Sequence, residues 1–335
     1  MKLDFNDILI VPKQQSDILS RSEVNPYHDE MLPLFTAPMD TVVSSKNIDK
    51  FFENKINIVL PRHEKSIWNL DIESHSLKEF KSLINSYHLE SENIRKRYFN
   101  IDIANGHMTE LVDVIRNAKS KYPEIILMVG NIANPKTYEI LSEAGADYVR
   151  LGVGNGGSCL TTKNLGVGYP MASLIKECYD ISLTLKTSAL IVADGGMKDY
   201  SDIIKALALG ANYVMIGNIF NKCIESAGDN YLWGRIKVPQ LIAEKAYSFG
   251  VPVYKKFRGM STKEVQKKWG LKKLKTSEDV VRFRKVEYTL AQWCENFEDY
   301  LRSAMGYTGA KTLSDFIGEV ETIQITDNAY KRFNK

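Results

Sequence analysis

IILMVGNIANPKTYEILSEAGADYVRLGVG, residues 125–154, is the stretch on which the fold turns. It opens with an apolar, β-branched run (125–133) that ends at Asn134-Pro135, and helical spacing then continues to Ala144. Gly145 interrupts that spacing, and a second apolar run, ADYVRLGVG (146–154), follows. Strand, helix and strand in so short a span form the unit of a parallel sheet, because parallel neighbours need a crossover long enough to hold a helix.

The same unit recurs on both sides. LPLFTAPM (32–39), INIVLP (56–61), YFNIDIANG (98–106), SALIVADGG (188–196), ANYVMIGN (211–218) and VYKKFRGMS (253–261) bring the candidate strands to eight. Helical spacing marks Thr109 to Lys121, Met171 to Tyr179 and Asp202 to Ala208. Eight units within roughly 230 residues fit a closed barrel better than an open doubly wound sheet, and no GxGxxG follows the first run. The predicted fold is therefore α/β, a TIM (β/α)8 barrel forming one domain over 1–335. Its strands lie between about 32 and 261. Residues 1–31 and 275–335 are extensions, the second expected to complete the active site and to serve assembly.

Composition removes several function classes. With 44 basic and 41 acidic side chains there is no uniform field to draw nucleic acid. Cys159, Cys178, Cys223 and Cys294 show no CxxC spacing, so zinc knuckles and a disulfide scaffold drop out and a reducing compartment is expected. No apolar stretch reaches membrane-spanning length, and MKLDFNDILIVPK does not read as a signal peptide; the expected location is cytoplasmic, away from membranes.

In a barrel the chemistry sits on loops after the carboxyl ends of the strands, where the unusual residues of this chain fall. These are Asp102 with Asn105-Gly106, a glycine-rich loop with Cys159, Asp194-Gly195-Gly196, and Gly217. The richest is GVGNGGSCLTTKNLGVGYP (152–170), whose glycines let backbone approach a ligand and whose Cys159 is a candidate nucleophile with Thr161 close by. Cys178, Cys223 and Cys294 read instead as small buried hydrophobes. Asp194 suits a ribose diol, since a carboxylate accepts two hydroxyl hydrogen bonds. Gly195, Gly196, Gly217 and Asn218 suit phosphate through backbone N–H groups.

These motifs resemble the IMP dehydrogenase/GMP reductase family, and within it the GMP reductases. The resemblance runs over nearly the whole chain: LDFNDILIVPK (3–13), SRSEV (20–24), APMDTV (37–42), DIANGH (102–107), the cysteine loop, ADGG (193–196), MIG (215–217), ESAG (225–228), FRGMS (257–261), KTSED (275–279) and GYTGAK (306–311). It implies reductive deamination of GMP to IMP and ammonia, with Cys159 attacking purine carbon 2 and NADPH supplying hydride. Thr161 and Glu278 match the family's proton-relay pair; amide-like nitrogen leaves badly as an anion, so an acid is needed. Dehydrogenases of the family carry an Arg-Tyr pair on a long flap. Here only residues 262–277 separate Ser261 from Glu278 and they hold no arginine, while Arg97-Tyr98 lies before a strand, at the wrong end. The regulatory CBS pair is absent too.

The resemblance also implies a substrate set of Ser158, Asp194, Gly195, Gly196, Gly217, Asn218, Gly259, Met260, Ser261, Lys275 and Ser277. Its dinucleotide set is Ser20, Arg21, Arg62, Asp102, Ile103, Ala104, Leu151, Gly152, Tyr307, Thr308, Gly309 and Ala310, part of it from a neighbouring subunit of an expected homotetramer. Backbone carbonyls of Gly152, Gly154 and Cys159 would hold a potassium ion. The chain departs from the pattern at Gly157, where a phosphate-binding serine is usual, at Asn218 for a glycine, at Thr162 and Lys275 for arginines, and at Arg62 for a lysine. Residues 229–252 look inserted. The alternatives carried forward are an IMP dehydrogenase with a reduced flap, a member acting on a related purine or deoxynucleotide, and a degenerate nucleotide-binding barrel without catalysis.

Overall fold

The computed structural model describes residues 1–65, 71–86, 98–157, 159–268, 270, 273–274 and 279–333. Eight parallel strands run β1 (Leu34–Thr36), β2 (Val59–Leu60), β3 (Ile72–His75), β4 (Tyr98–Asp102), β5 (Ile126–Ile132), β6 (Tyr148–Leu151), β7 (Leu190–Asp194) and β8 (Tyr213–Ile216). Each from β2 to β8 pairs with the next in chain order, and β8 pairs with β1, Met215 opposite Phe35. The last seam closes where the Thr36 N–H reaches the Asn57 carbonyl at 3.0 Å and the Asn57 N–H reaches that of Leu34 at 3.1 Å. The predicted TIM barrel is the fold found.

Around it lie α1 (Ile48–Glu53), α2 (Leu77–Ser86), α3 (Thr109–Lys121), α4 (Pro135–Glu143), α5 (Met171–Ser182) and α6 (Tyr200–Ala208). Local chemistry sets their starts. The Asn134 side chain accepts the Lys136 N–H at 2.9 Å with Pro135 next to it, and Asp199 caps α6 through Asp202 N–H at 3.1 Å. Inside the barrel Phe35, Val59, Ile72, Met128, Val192 and Met215 form the apolar filling. At the amino ends of their strands Tyr148 and Tyr213 make a floor, ring centroids 5.9 Å apart.

One strand assignment needs correction. The third barrel strand is Ile72–His75, and 253–261 is not in the barrel. Val253–Arg258 belongs to a four-stranded antiparallel sheet of β9 (Asn230–Leu232), β10 (Ile236–Val238), β11 (Val253–Arg258) and β12 (Val281–Lys285), ordered β10-β9-β11-β12. The reason is visible in its alternation. Val253, Lys255 and Phe257 are buried while Tyr254 and Lys256 are partly exposed, the pattern of a sheet with one wet face, whereas barrel strands are covered on both sides. In consequence the loops with Cys159, Asp194 and Gly217 follow β6, β7 and β8.

Residues 229–252 supply β9, β10 and α7 (Gln240–Ser248) to this lobe, over a small core of Ile224, Ala243, Val253 and Val286. The chain then returns to the barrel as α8 (Leu290–Thr308), and the two extensions meet where Ile8–Ile10 pairs antiparallel with Thr322–Gln324. No helix among the described residues is long and apolar enough to cross a membrane.

Candidate active site

At the carboxyl end of the barrel a buried arginine organises two of the expected residues. Arg150, on β6, donates to Asp102 at the end of β4 and to Asp194 at the end of β7, both at 2.8 Å, and to Asn100 at 3.3 Å. Burial alone would lower its pKa, but the Asp194 and Asp102 carboxylates outweigh that and hold it above the ordinary arginine value. Asn131, on β5, donates to Asp194 Oδ2 at 2.7 Å and to the Gly152 carbonyl at 3.0 Å. Arg62 closes the other side, with Nε 3.6 Å from the Asp102 carboxylate and Nη2 donating to the Asp102 carbonyl. Two carboxylates and two guanidinium groups thus lock the ends of β4, β6 and β7 together. Arg150 and Asn131 were not among the expected site residues. The available signal was a charged or amide side chain in the middle of an apolar strand, which in a barrel interior must find a partner.

Beside this lock a cavity of about 80 Å3 opens between the loops after β6, β7 and β8. Five of the expected substrate residues, Asp194, Gly195, Gly196, Gly217 and Asn218, line it together with Gly156 and Gly157. Gly195 is required by more than its φ of +84°: a Cβ there would lie 3.2 Å from the Gly156 nitrogen, wedging the β7 loop away from the cysteine loop. The Asn218 side chain lies over Gly157, where an added Cβ would stand 3.4 Å from the asparagine Cβ. A side chain at 157 would therefore pack in ordinary contact against Asn218. Its Oδ1 is buried without a hydrogen-bond partner, a vacancy worth about 1–3 kcal/mol if left unmet.

Cys159 stands three residues beyond Gly156, half-buried, with its N–H donating to the Gly156 carbonyl at 2.9 Å. Its Sγ is 3.2 Å from Thr161 Oγ1, so thiol and hydroxyl share a hydrogen bond. The other three cysteines are buried, and burial pushes each thiol up, which fits the apolar role expected of them. Opposite Cys159, Asp279 pairs with it through an antiparallel backbone bridge. The Asp279 carboxylate accepts the Ser261 N–H at 2.8 Å, tying Gly259, Met260 and Ser261 to the cysteine loop. Ser158, Lys275, Ser277 and Glu278 lie outside the described residues.

The expected dinucleotide residues fall into two groups. Arg62, Asp102, Ile103, Leu151 and Gly152 stand at the carboxyl end, with Ala104 exposed beside them. Ser20, Arg21 and Tyr307 to Ala310 stand at the other end. α8 starts at the carboxyl face, where the Leu290 N–H meets Glu225 at 2.9 Å, and finishes where the Tyr307 carbonyl accepts the Lys13 N–H at 3.0 Å. The nearby Asn25 N–H bonds the Lys311 carbonyl at 2.8 Å, and His28 reaches the Asn212 carbonyl, just before β8, at 3.2 Å. Ser20 caps a short turn whose Arg21 pairs with Asp299 at 3.3 Å. A single chain does not bring these residues to its own cysteine.

The family model for the IMP dehydrogenase / GMP reductase domain matches residues 98–333. Among curated proteins the chain is similar to a GMP reductase of Caenorhabditis elegans, 29% identical over 97% of this chain and 92% of that protein. It is 28% identical to GMP reductase 2 of Homo sapiens, covering 100% of this chain and 97% of the other. It is 29% identical to a GMP reductase of Buchnera aphidicola, over the same shares.

Proposed function

Because the chain belongs to the IMP dehydrogenase/GMP reductase family, we propose that it is a GMP reductase, converting GMP to IMP and ammonia with NADPH as the hydride source. The observation that carries this reading is the Cys159 thiol at 3.2 Å from Thr161 Oγ1, on the loop that also lines the glycine cavity.

In this reading the 5′-phosphate lies in the cavity, where the glycine backbone lets it approach closely and the Asn218 amide offers a donor as well as an acceptor. The Asn131 amide and the Arg150 guanidinium both donate to Asp194 Oδ2, which leaves Oδ1 for the ribose hydroxyls. The base then points toward Cys159. As thiolate, Cys159 adds to purine carbon 2, and the 2-amino group departs as ammonia once protonated. Thr161 is placed to pass that proton, with Glu278 assigned as the acid behind it by the resemblance. Asp102, Ile103 and Gly152 would hold the dinucleotide, which when bound would supply a hydride for carbon 2. The carbon–sulfur bond then breaks, returning the thiolate and releasing IMP. Arg150 and Arg62 hold Asp102 and Asp194 in register through this sequence.

The Gly152 carbonyl accepts the Asn131 amide at 3.0 Å and keeps a second lone pair, so it, with the Gly154 and Cys159 carbonyls, would supply part of the shell of a potassium ion. No step is routed through it. Incubation with GMP plus NADPH, and separately with IMP plus NAD, tests the whole reading. NADPH oxidation with ammonia release in the first mixture alone is the expected result; turnover in the second alone would make the chain a dehydrogenase.

A further inference from the structure

Asp102, Ile103 and Ala104, to which the dinucleotide is assigned, open a loop that runs to His107 and lies against the end of β5. The Ile103 N–H donates to the Gly130 carbonyl at 3.0 Å, the Asn131 N–H to that of Ile103 at 2.8 Å, and the Gly106 N–H to that of Asn131 at 2.9 Å. Gly106 has no room for a side chain, since a Cβ there would stand 2.7 Å from Ile132 Cγ2. Beyond it the next link is a side chain: the Ala133 N–H donates to His107 Nε2 at 3.1 Å.

That bond fixes the imidazole. A backbone N–H can only donate, so Nε2 must carry a lone pair, and the one proton of a neutral ring lies on Nδ1. Nδ1 stands 2.8 Å from Thr137 Oγ1, in the first turn of α4, and donates to it. Both ring nitrogens are thus used for holding the loop, and neither is left for a ligand. A second proton would set Nε2–H against the Ala133 N–H, donor against donor, and break the link. Burial lowers the pKa of the ring and so favours the neutral form. Charged groups on the surrounding elements are engaged elsewhere: Glu110 in the first turn of α3 pairs with Lys81 at 2.6 Å, Lys136 in that of α4 with Glu139 at 3.1 Å, and Asp102 on β4 with Arg150 at 2.8 Å.

We propose that His107, as the neutral ring with its proton on Nδ1, is a positioning residue for the dinucleotide: it clamps the 103–107 loop to the Ala133 N–H and to Thr137, and so fixes where Ile103 and Ala104 meet the cofactor. This deepens the reductase reading and rests on it. Protonation opens the clamp. Dinucleotide affinity therefore falls as pH drops through the folded pKa of the ring, which lies below the ordinary 6.5, while GMP in the glycine cavity keeps its affinity.

Nitrogen NMR of the full chain with labelled histidine reads the tautomer without any ligand, and should find the His107 proton on Nδ1. Calorimetric titration with NADP+, which is stable in acid, and with GMP follows for wild type, His107→Ala and His107→Gln at about pH 8 and about pH 5.5, on either side of the histidine range. Glutamine can accept the Ala133 N–H through its own oxygen but does not titrate. At the higher pH His107→Ala should bind NADP+ about tenfold more weakly, with GMP affinity unchanged, and His107→Gln should recover most of that loss. In acid the wild type should fall toward the alanine variant, whereas His107→Gln should change only as far as the ligand's own titration carries both variants. A proton on Nε2, wild-type NADP+ affinity in His107→Ala, or parallel acid losses in wild type and His107→Gln overturns the proposal. So does an equal loss of GMP binding in His107→Ala, the mark of a general structural defect. Wild type that binds GMP but no NADP+ at either pH brings down the reductase reading instead, and the tautomer measurement tells that failure from a misread ring.

Discussion

A thiol within 3.2 Å of a hydroxyl, on a loop that lines a glycine-walled cavity, ties the chemistry to single atoms. Replacing Cys159 by alanine should lower kcat by on the order of 10^3 or more while GMP binding persists, because the nucleophile is lost and the cavity is untouched. Stopped-flow absorbance for NADPH, with calorimetry for GMP, separates the two. Arg150 makes a different prediction. Its guanidinium satisfies Asp102 and Asp194 in a site where its own side chain is 5% exposed. Arg150→Met therefore leaves two partly buried carboxylates without their shared cation and should destabilise the fold, by at most about 3–5 kcal/mol. Urea unfolding of the ligand-free chain reads this as a lower midpoint. Arg150→Lys should fall between the two, since one ammonium lacks the planar fork that reaches both partners.

At the level of elements, the junction of the 259–261 turn with the cysteine loop depends on a missing side chain. A Cβ on Gly259 would lie 2.0 Å from Asp279 Cγ, so Gly259→Ala must push Asp279 away from the Ser261 N–H. The expected result is a raised KM for GMP and a lowered Tm, with Asp279→Asn, which still accepts that bond, close to wild type. β11 carries a pH prediction. Burial pushes Lys255 down to about 7 from its ordinary 10.5. Between these values the unfolded chain holds a proton there that the folded chain lacks, so stability at this site rises with pH across that window and is lowest below 7. Urea midpoints of wild type relative to Lys255→Met should increase from pH 7 to 9; a flat difference would refute the shift. The same strand shows what the sequence hid. Continuous apolar runs such as LIVAD and YVMI announce barrel strands plainly, and the residues after them line one cavity. IESH carries one apolar residue, and among the described residues no helix separates β2 from β3, so no local pattern marks it. VYKKFR has the composition of a strand but the alternation of one with a wet face, and only its partners reveal the lobe. Arg150 and Asn131 were illegible for a related reason: their roles come from β4 and β7, distant in sequence.

Across the whole molecule the residues expected to meet the dinucleotide fall at two opposite ends. Cys159 and Asp102 sit at the carboxyl end of the barrel, whereas α8 carries Tyr307 to Ala310 to the opposite end, beside Ser20 and Arg21. Tyr307 is 70% exposed there, a large aromatic with nothing of its own chain to cover it. If these residues serve the dinucleotide, as the resemblance implies, they serve a neighbour's cysteine, and each active site is shared between two copies. A complementation experiment follows directly. Cys159→Ala lacks the nucleophile but keeps an intact far end; Tyr307→Ala paired with Arg21→Glu has the reverse defect. Each should be nearly inactive alone. Co-refolded in equal amounts, they should regain about a quarter of wild-type activity, because random mixing gives half the sites a cysteine and half of those an intact neighbour. Activity should also fall on dilution below the assembly's dissociation constant. A mixture no more active than its two components would mean that each barrel works alone and that the exposed end of α8 has no part in the reaction.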